Sequence, residues 1–86
     1  MNYHVTITPT AAKEFRGLDA KQQRRISDTL RQLTENPRPP GAKKLTGSKS
    51  DWRVRVGDYR ILYEVDDTAA HITVWRIAHR REVYRG

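Results

Sequence analysis

The stretch from Trp52 to Val65, WRVRVGDYRILYEV, constrains the fold more than any other part of this chain. Apolar and charged residues alternate on both sides of Gly57-Asp58. A two-residue loop that begins with glycine suits the tight turn of a β-hairpin, because glycine adopts positive φ without a steric cost. Counting outward from the loop places Arg55 opposite Arg60 and fixes which side chains share a face. The sequence therefore predicts a hairpin with one apolar face and one cationic face.

The two predicted faces differ in chemistry. The apolar face carries Trp52, Val54, Val56, Tyr59, Ile61, Tyr63 and Val65, and the other face carries Arg53, Arg55 and Arg60. Like charges opposed across a strand pair are destabilising, by part of the roughly 0.2–1 kcal/mol that cross-strand pairs contribute. Two explanations stay open for the arginines. One is a solvated outer face on which the charged heads stay wet, and the other is a polyanion site, since guanidinium groups bind phosphate oxygens in pairs.

Length and composition limit the remaining possibilities. The 86 residues predict a single domain, 1–86. Seventeen Lys and Arg against ten Asp and Glu give a net charge of +7, which favours nucleic acid as a partner. The chain has no cysteine, and its three histidines share no spacing that would converge on a metal, so we predict no metal site. We expect a cytoplasmic protein without membrane contact, because neither a long apolar run nor a signal-peptide pattern is present.

The N-terminal part of the chain predicts one strand and two helices. Polar and apolar residues alternate from residue 3 to residue 8, as in a half-buried strand, and Pro9 ends this pattern. Thr8 or Thr10 can cap a short first helix that Pro9 begins. Asp19, with Gln22 three residues later, resembles the capping box of a second helix. The apolar stripes of the two helices are Ala11, Phe15 and Leu18, then Ile26, Leu30 and Leu33.

The rest of the chain predicts a loop, the hairpin and a final strand. Asn36-Pro37 stops the second helix, and residues 37–51 are rich in proline, glycine and lysine, which indicates a loop. Residues 71–78, HITVWRIA, are apolar on both faces, which is typical of an interior strand. We assign Trp52, Tyr59 and Trp75 to the core. The fold class is therefore α+β, in the order β-α-α-β-β-β, with two N-terminal helices packed on a small antiparallel-rich sheet.

Several features taken together resemble the RelE family of bacterial toxins, in the RelE/ParE superfamily. They are the order of elements, the Asn36-Pro37 helix stop, the loop ending in Lys43-Lys44-Leu45, the hairpin and the C-terminal IAHRREVY. The resemblance covers nearly the whole chain. It implies a type II toxin that arrests growth by inhibiting translation. Such toxins are ribosome-dependent endoribonucleases that cut mRNA in the A site without a metal or cofactor, and an antitoxin protein holds them inactive.

The resemblance also implies roles for residues of this chain. By this resemblance, the catalytic residues of the chain would be Arg53, Arg55, Arg60, Arg80 and Tyr84. Two departures from the family pattern are arginine at 53 and 55, where the best-known members carry lysine, and His79 in place of another basic residue. His79 is a further candidate for proton transfer, because histidine titrates near neutrality. We expect Lys43, Lys44 and Arg81 to contact RNA or the ribosome.

Two other functions remain compatible with the same sequence. A ParE-like protein would poison DNA gyrase and cut no nucleic acid, and it does not need the arginines together with a terminal tyrosine. A basic RNA-binding module that kept the fold and lost the activity is the third hypothesis. For a nuclease, an alternative role of Tyr84 is to stack on an mRNA base, as aromatic side chains do with unpaired nucleotides.

Overall fold

A computed structural model describes residues 2–79 as two helices and a five-stranded sheet. The elements are β1 (His4–Ile7), α1 (Pro9–Arg16), α2 (Ala20–Glu35), β2 (Lys43–Lys44), β3 (Asp51–Val56), β4 (Tyr59–Asp66) and β5 (His71–His79). The strand order is β1-β5-β4-β3-β2, with β1 parallel to β5 and every other pair antiparallel. The predicted α+β class is confirmed. Within the described part of the chain, no helix has the length and apolar character that a membrane crossing needs.

The structure contains one strand that the sequence did not predict. Lys43 and Lys44, which the sequence placed in a loop, form the edge strand β2, opposite Arg53 and Trp52 of β3. The Leu45 N–H continues this pairing by donating to the Asp51 carbonyl at 2.9 Å. A strand of two residues is too short to show an alternating pattern, so the sequence carried no signal for it.

The predicted helix boundaries are confirmed at the level of individual hydrogen bonds. The Thr8 side chain caps α1 by accepting the Ala11 N–H at 3.3 Å, and Pro9 is the first helical residue. The Asp19 carboxylate caps α2 by accepting the Gln22 N–H at 2.9 Å. These side-chain acceptors satisfy backbone donors that have no partner within the first turn of a helix.

The core lies between the helices and one face of the sheet. The fully buried side chains among the described residues include Ala11, Ile26, Leu33, Ile61, Tyr63, Ile72 and Val74. Burial of a large apolar side chain stabilises a fold by roughly 1.5–3 kcal/mol. Trp52 and Tyr59 pack against this cluster, as predicted. The hydrophobic effect therefore fixes the helices on the apolar face of the hairpin and leaves its arginines on the other face.

Trp75 does not belong to this core, so its predicted assignment is wrong. Leu62 of β4 faces Arg76 of β5, but the next residue, Tyr63, faces Val74, which leaves Trp75 as the extra residue of a β-bulge. The bulge shifts the alternation by one residue, so Val74 and Ile77 both face the core. Trp75 is half-buried on the cationic face. The three-residue spacing from Val74 to Ile77 was the sequence signal for this bulge.

β5 is an interior strand, as predicted, but β1 covers only its first half. β1 pairs with His71 to Val74. Beyond Val74, Glu14 of α1 bonds to this edge of β5. Its carboxylate accepts the Ile77 N–H at 2.8 Å and the Arg76 Nε–H at 2.7 Å. The acidic side chain thus satisfies a backbone donor at the exposed strand edge and ties α1 to the sheet.

The loop after α2 is anchored from two sides. Arg38 binds both carboxylate oxygens of Asp67, at 3.2 and 2.7 Å, and its Cζ lies 5.2 Å from the centre of the Trp52 ring. The Tyr3 hydroxyl donates to the same carboxylate at 2.6 Å. The hydrogen bonds from Arg38 and then from Tyr3 lower the pKa of Asp67. This cluster joins the start of the chain, the loop and the β4–β5 turn.

The second anchor is buried. The Tyr63 hydroxyl donates to the Pro37 carbonyl at 2.7 Å, where Tyr63 is fully buried in the core. Burial disfavours the charged phenolate and raises the pKa of Tyr63 to about 12. The folded chain therefore holds this proton more tightly than the unfolded chain, in which tyrosine titrates near pH 10.

We expect Tyr63→Phe to lower the free energy of unfolding at pH 7 by about 1–3 kcal/mol, because the buried Pro37 carbonyl loses its donor. The contribution of the tyrosine proton is complete below about pH 10 and is lost as pH rises towards 12. The gap between the variant and the unaltered protein should therefore narrow over that window. Urea unfolding at pH 7, 10 and 11 measures both effects. An identical alkaline slope in the two proteins would contradict this account of Tyr63.

Candidate nucleic-acid interface

The hairpin has the register that counting from its loop predicted. Arg55 lies opposite Arg60, and the flanking pairs Val56–Tyr59 and Val54–Ile61 agree. Gly57 has φ +60°, the left-handed region that the tight turn requires. Three of the predicted site residues, Arg53, Arg55 and Arg60, are therefore placed on one face of the sheet.

These three arginines line one cavity of about 270 Å³, together with Gly41 and Lys43. Four of the five described lining residues are cations, and none of the five is acidic. Small-molecule pockets commonly span roughly 300–1,000 Å³, so this cavity suits a compact anionic group such as a phosphodiester. Cations concentrated in a concave site raise the local concentration of an anionic ligand.

Arg60 differs from its neighbours in burial. It is 2% exposed, whereas Arg53 is half-buried and Arg55 is exposed. Its neighbour on β5 is Ala78, which is itself buried. A buried guanidinium loses hydration, but its attraction for a phosphate is stronger because the surroundings screen the charge less than water does. Among the cations that line this cavity, Arg60 is therefore the one whose charge water screens least.

Lys43 and Lys44 fall on opposite sides of the sheet. Lys43 faces Arg53 and lines the cavity, while Lys44 faces Trp52, whose ring packs against the core side. Residues directly opposite each other in a strand pair share a face. The structure therefore brings Lys43 into the arginine cluster and does not bring Lys44 there, although the same RNA or ribosome contact was predicted for both.

The tip of the hairpin is held by α2. A β-carbon added at Gly57 would lie 3.0 Å from Nη1 and 3.2 Å from Cζ of Arg25. The Arg25 guanidinium therefore lies directly against the turn, in space that only glycine leaves open. This contact supports the turn that sets the register of Arg55 and Arg60. The sequence pattern did not predict this contact.

His79 lies on the other face, away from the cavity. It is opposite Tyr59, and the two rings meet edge to face with centroids 5.5 Å apart. Both rings line a second cavity, beside α1, and none of its described lining residues is shared with the first. The remaining predicted site residues, Arg80, Arg81 and Tyr84, lie outside the described residues. Among residues 2–79, no group of three or more His, Asp or Glu side chains is arranged to hold a metal ion.

Comparison with known proteins identifies the family. Residues 5–84 match the family described as ParE toxin of type II toxin-antitoxin system, parDE. The chain is also 32% identical over 84 residues to Toxin RelE of Mycobacterium tuberculosis, an alignment that covers 96% of this chain and 87% of that relative. The chain belongs to the RelE/ParE family of type II toxins. The toxin is similar as well to Toxin RelG of the same organism, with 27% identity over 99% of both chains.

Solved structures agree with this assignment. The archaeal RelE–RelB complex from Pyrococcus horikoshii contains a chain that superposes on this toxin with a TM-score of 0.83 and 28% identity, covering 93% of this chain and 97% of that one. A chain of the RelBE2 toxin-antitoxin complex from Mycobacterium tuberculosis gives a TM-score of 0.82 with 26% identity, over 93% and 100% of the two chains. The toxin therefore has the RelE fold over nearly all of its length.

The two lysines of β2 provide a matched test of the cavity. We expect Lys43→Ala to reduce the salt dependence of single-stranded RNA binding by about 0.7 in the slope of log K against log salt, the value for one phosphate that the protein no longer neutralises. Lys44→Ala should reduce it less, because Lys44 faces away from the cavity. Fluorescence anisotropy of a labelled oligonucleotide at several salt concentrations gives both slopes. Equal reductions in the two variants would show that the cavity does not direct binding.

Proposed function

We propose that this toxin is a ribosome-dependent, metal-independent mRNA endoribonuclease that cuts mRNA in the ribosomal A site and so inhibits translation. The observation that carries the proposal is the cavity in which Lys43, Arg53, Arg55 and Arg60 converge. Like charges this close repel one another in the absence of a ligand. A phosphate bound among them would accept charge-assisted hydrogen bonds from the same side chains. Similarity to proteins named RelE supports the same activity.

The bonds that form and break in this reaction belong to the RNA alone. The 2′-oxygen of a ribose attacks the adjacent phosphorus, forming the P–O2′ bond and breaking the P–O5′ bond. The products are a 2′,3′-cyclic phosphate and a 5′-hydroxyl. Negative charge increases on the phosphoryl oxygens in the transition state, and fixed cations aimed at them are the largest expected catalytic contribution. We assign this role to Arg53, Arg55 and Arg60, with Arg80 as a fourth cation on the basis of the family resemblance.

Two protons must also move. A base takes the proton of the 2′-hydroxyl, and an acid protonates the departing 5′-oxygen; together such steps contribute about 10²- to 10⁴-fold in rate. Arginine is a poor base because its guanidinium group stays protonated at any physiological pH. His79 faces the second cavity, on the other side of the sheet from Arg60. We propose Tyr84 for proton transfer on the basis of the family resemblance, since a phenol that lies next to an arginine has a lowered pKa.

We also propose that a cognate antitoxin controls this toxin in the cytoplasm. The related RelE of Pyrococcus horikoshii was solved as a complex with RelB. A net charge of +7 would speed association with an acidic partner, in a way that weakens with salt. An antitoxin that places carboxylates near Arg55 would neutralise the cavity directly. On the ribosome, the same cations and Arg81 would contact mRNA and ribosomal RNA.

A second candidate function is inhibition of DNA gyrase without nuclease activity. It is favoured by the description of the matching family, which names the ParE toxin. A gyrase inhibitor needs a surface for a protein partner and has no requirement for cations that converge on one phosphate. Inhibition of supercoiling by the purified toxin, together with intact mRNA on ribosomes, would support it.

Primer extension on a reporter mRNA, with ribosomes present or omitted, tests the proposal. We expect cuts at A-site codons only when ribosomes are present, and a 10²- to 10³-fold slower cleavage by Arg60→Ala, the usual loss for one charge-stabilising donor. Arg24→Ala is the matched control, because Arg24 is an exposed arginine on α2 and does not line the cavity.

The outcomes separate the candidates. Unfolding curves for both variants show whether a loss of cleavage reflects a loss of structure. Cleavage by a folded Arg60→Ala protein at the unaltered rate would contradict the role of the cavity. Uncut mRNA in both lanes would contradict the nuclease assignment, and a supercoiling assay on the same protein would then test gyrase inhibition.

A further inference from the structure

Trp75 is held on the cationic face of the sheet by specific contacts. Its indole N–H donates to Asp51 Oδ1 at 3.2 Å, and the other oxygen of that carboxylate accepts the Ser48 hydroxyl at 2.8 Å. The β-bulge makes this possible, because it leaves Trp75 as the extra residue of β5. The ring is thus fixed in position although it is only half-buried and lies outside the core cluster.

The sheet register places this ring beside the arginine cavity. Asp51 precedes Arg53 by two residues on β3, so their side chains share a face at a separation of about 6.6 Å along the strand. Leu62 lies opposite Arg53 on one side and opposite Arg76, the neighbour of Trp75, on the other. The Trp75 side chain reaches from β5 across β4 to Asp51. An aromatic surface and a set of cations therefore occupy adjacent positions on the same face.

We propose that Trp75 is a stacking platform for an unpaired base of the RNA strand whose phosphate occupies the arginine cavity. Binding of single strands commonly combines cations that follow the backbone with aromatic rings on which bases stack. The Trp75 N–H is already engaged by Asp51, so the ring offers its π-face and no free donor. Stacking of this kind positions a nucleotide without selecting among the four bases. The inference rests on the proposed function, since it deepens how the same face binds its substrate.

Fluorescence isolates this contact, because the chain has two tryptophans. In Trp52→Phe the signal comes from Trp75 alone, and in Trp75→Phe it comes from Trp52, which lies on the helix side. The probe is a short 2′-O-methyl RNA, which lacks the attacking hydroxyl, and inorganic polyphosphate is the control anion without bases. We expect saturable quenching by RNA in Trp52→Phe only, and none by polyphosphate. Equal quenching by polyphosphate would overturn the proposal, as would an unquenched Trp75 at RNA concentrations that saturate the protein in an anisotropy titration.

Kinetics on programmed ribosomes give a second readout. Stacking that is equal in the ground state and the transition state affects KM and leaves kcat unchanged. We expect Trp75→Ala to raise KM roughly 5- to 150-fold, as expected for the loss of one stacked base. Trp75→Phe should stay within a few-fold of the unaltered toxin, because a ring is retained. A folded Trp75→Ala protein with an unaltered KM would overturn the proposal, and if that variant does not fold, the fluorescence comparison decides.

These measurements distinguish a failure of the stacking platform from a failure of the nuclease function. Quenching of Trp75 by RNA without any cleavage on ribosomes would support the stacking platform and contradict the nuclease function. Normal cleavage together with an unquenched Trp75 would support the nuclease function and contradict the platform.

Discussion

The direct opposition of Arg55 and Arg60 across the hairpin is the constraint on which the rest of this protein's structure depends. Two like charges face each other where the fold alone would favour an apolar or oppositely charged pair. Lys43 and Arg53 add two more cations to the same cavity. The apolar face of the same hairpin packs against both helices, so the core is the source of stability for a sheet that carries these cations on its other face. A bound phosphate would turn this repulsion into attraction, which is why we interpret the face as a binding surface.

Contacts far from the cavity determine its shape. Pro37 is fixed by Tyr63, and Arg38 is fixed by Asp67, so the loop leading to Gly41 and Lys43 leaves α2 in a defined direction. Arg25 lies against the turn that sets the strand register. The carboxylate of Asp51 on β3 orients Trp75, which reaches across β4 from β5. The cationic side chains thus project from a sheet whose geometry is held by packing on its opposite face, and a site on regular strands keeps its spacing better than one on free loops.

Local patterns in the sequence predicted much of this fold. The alternation around Gly57-Asp58 predicted the hairpin register, and Thr8 and Asp19 marked the helix starts. The features that were missed depend on contacts between distant segments. β2 contains only two residues, and Lys43 and Lys44 could not be separated until the pairing with β3 was known. The bulge at Trp75 was not predicted, because residues 71–78 were interpreted as a regular strand that is apolar on both faces, and the contact with Asp51 needed the three-dimensional sheet. The place of His79 opposite Tyr59 likewise follows from register and not from its position next to Arg80 and Arg81 in the sequence.

The central claim is that the cationic face lowers stability and is present for its ligand, and Arg55→Gln tests it most directly. Urea unfolding should be measured at low ionic strength and again at 1 M salt, where charges are screened beyond about 3 Å. We predict that the variant is more stable than the unaltered protein at low salt, by up to about 1 kcal/mol, and that the difference shrinks at high salt. A variant that is less stable at low salt would contradict the claim, because Arg55 would then contribute to the fold itself.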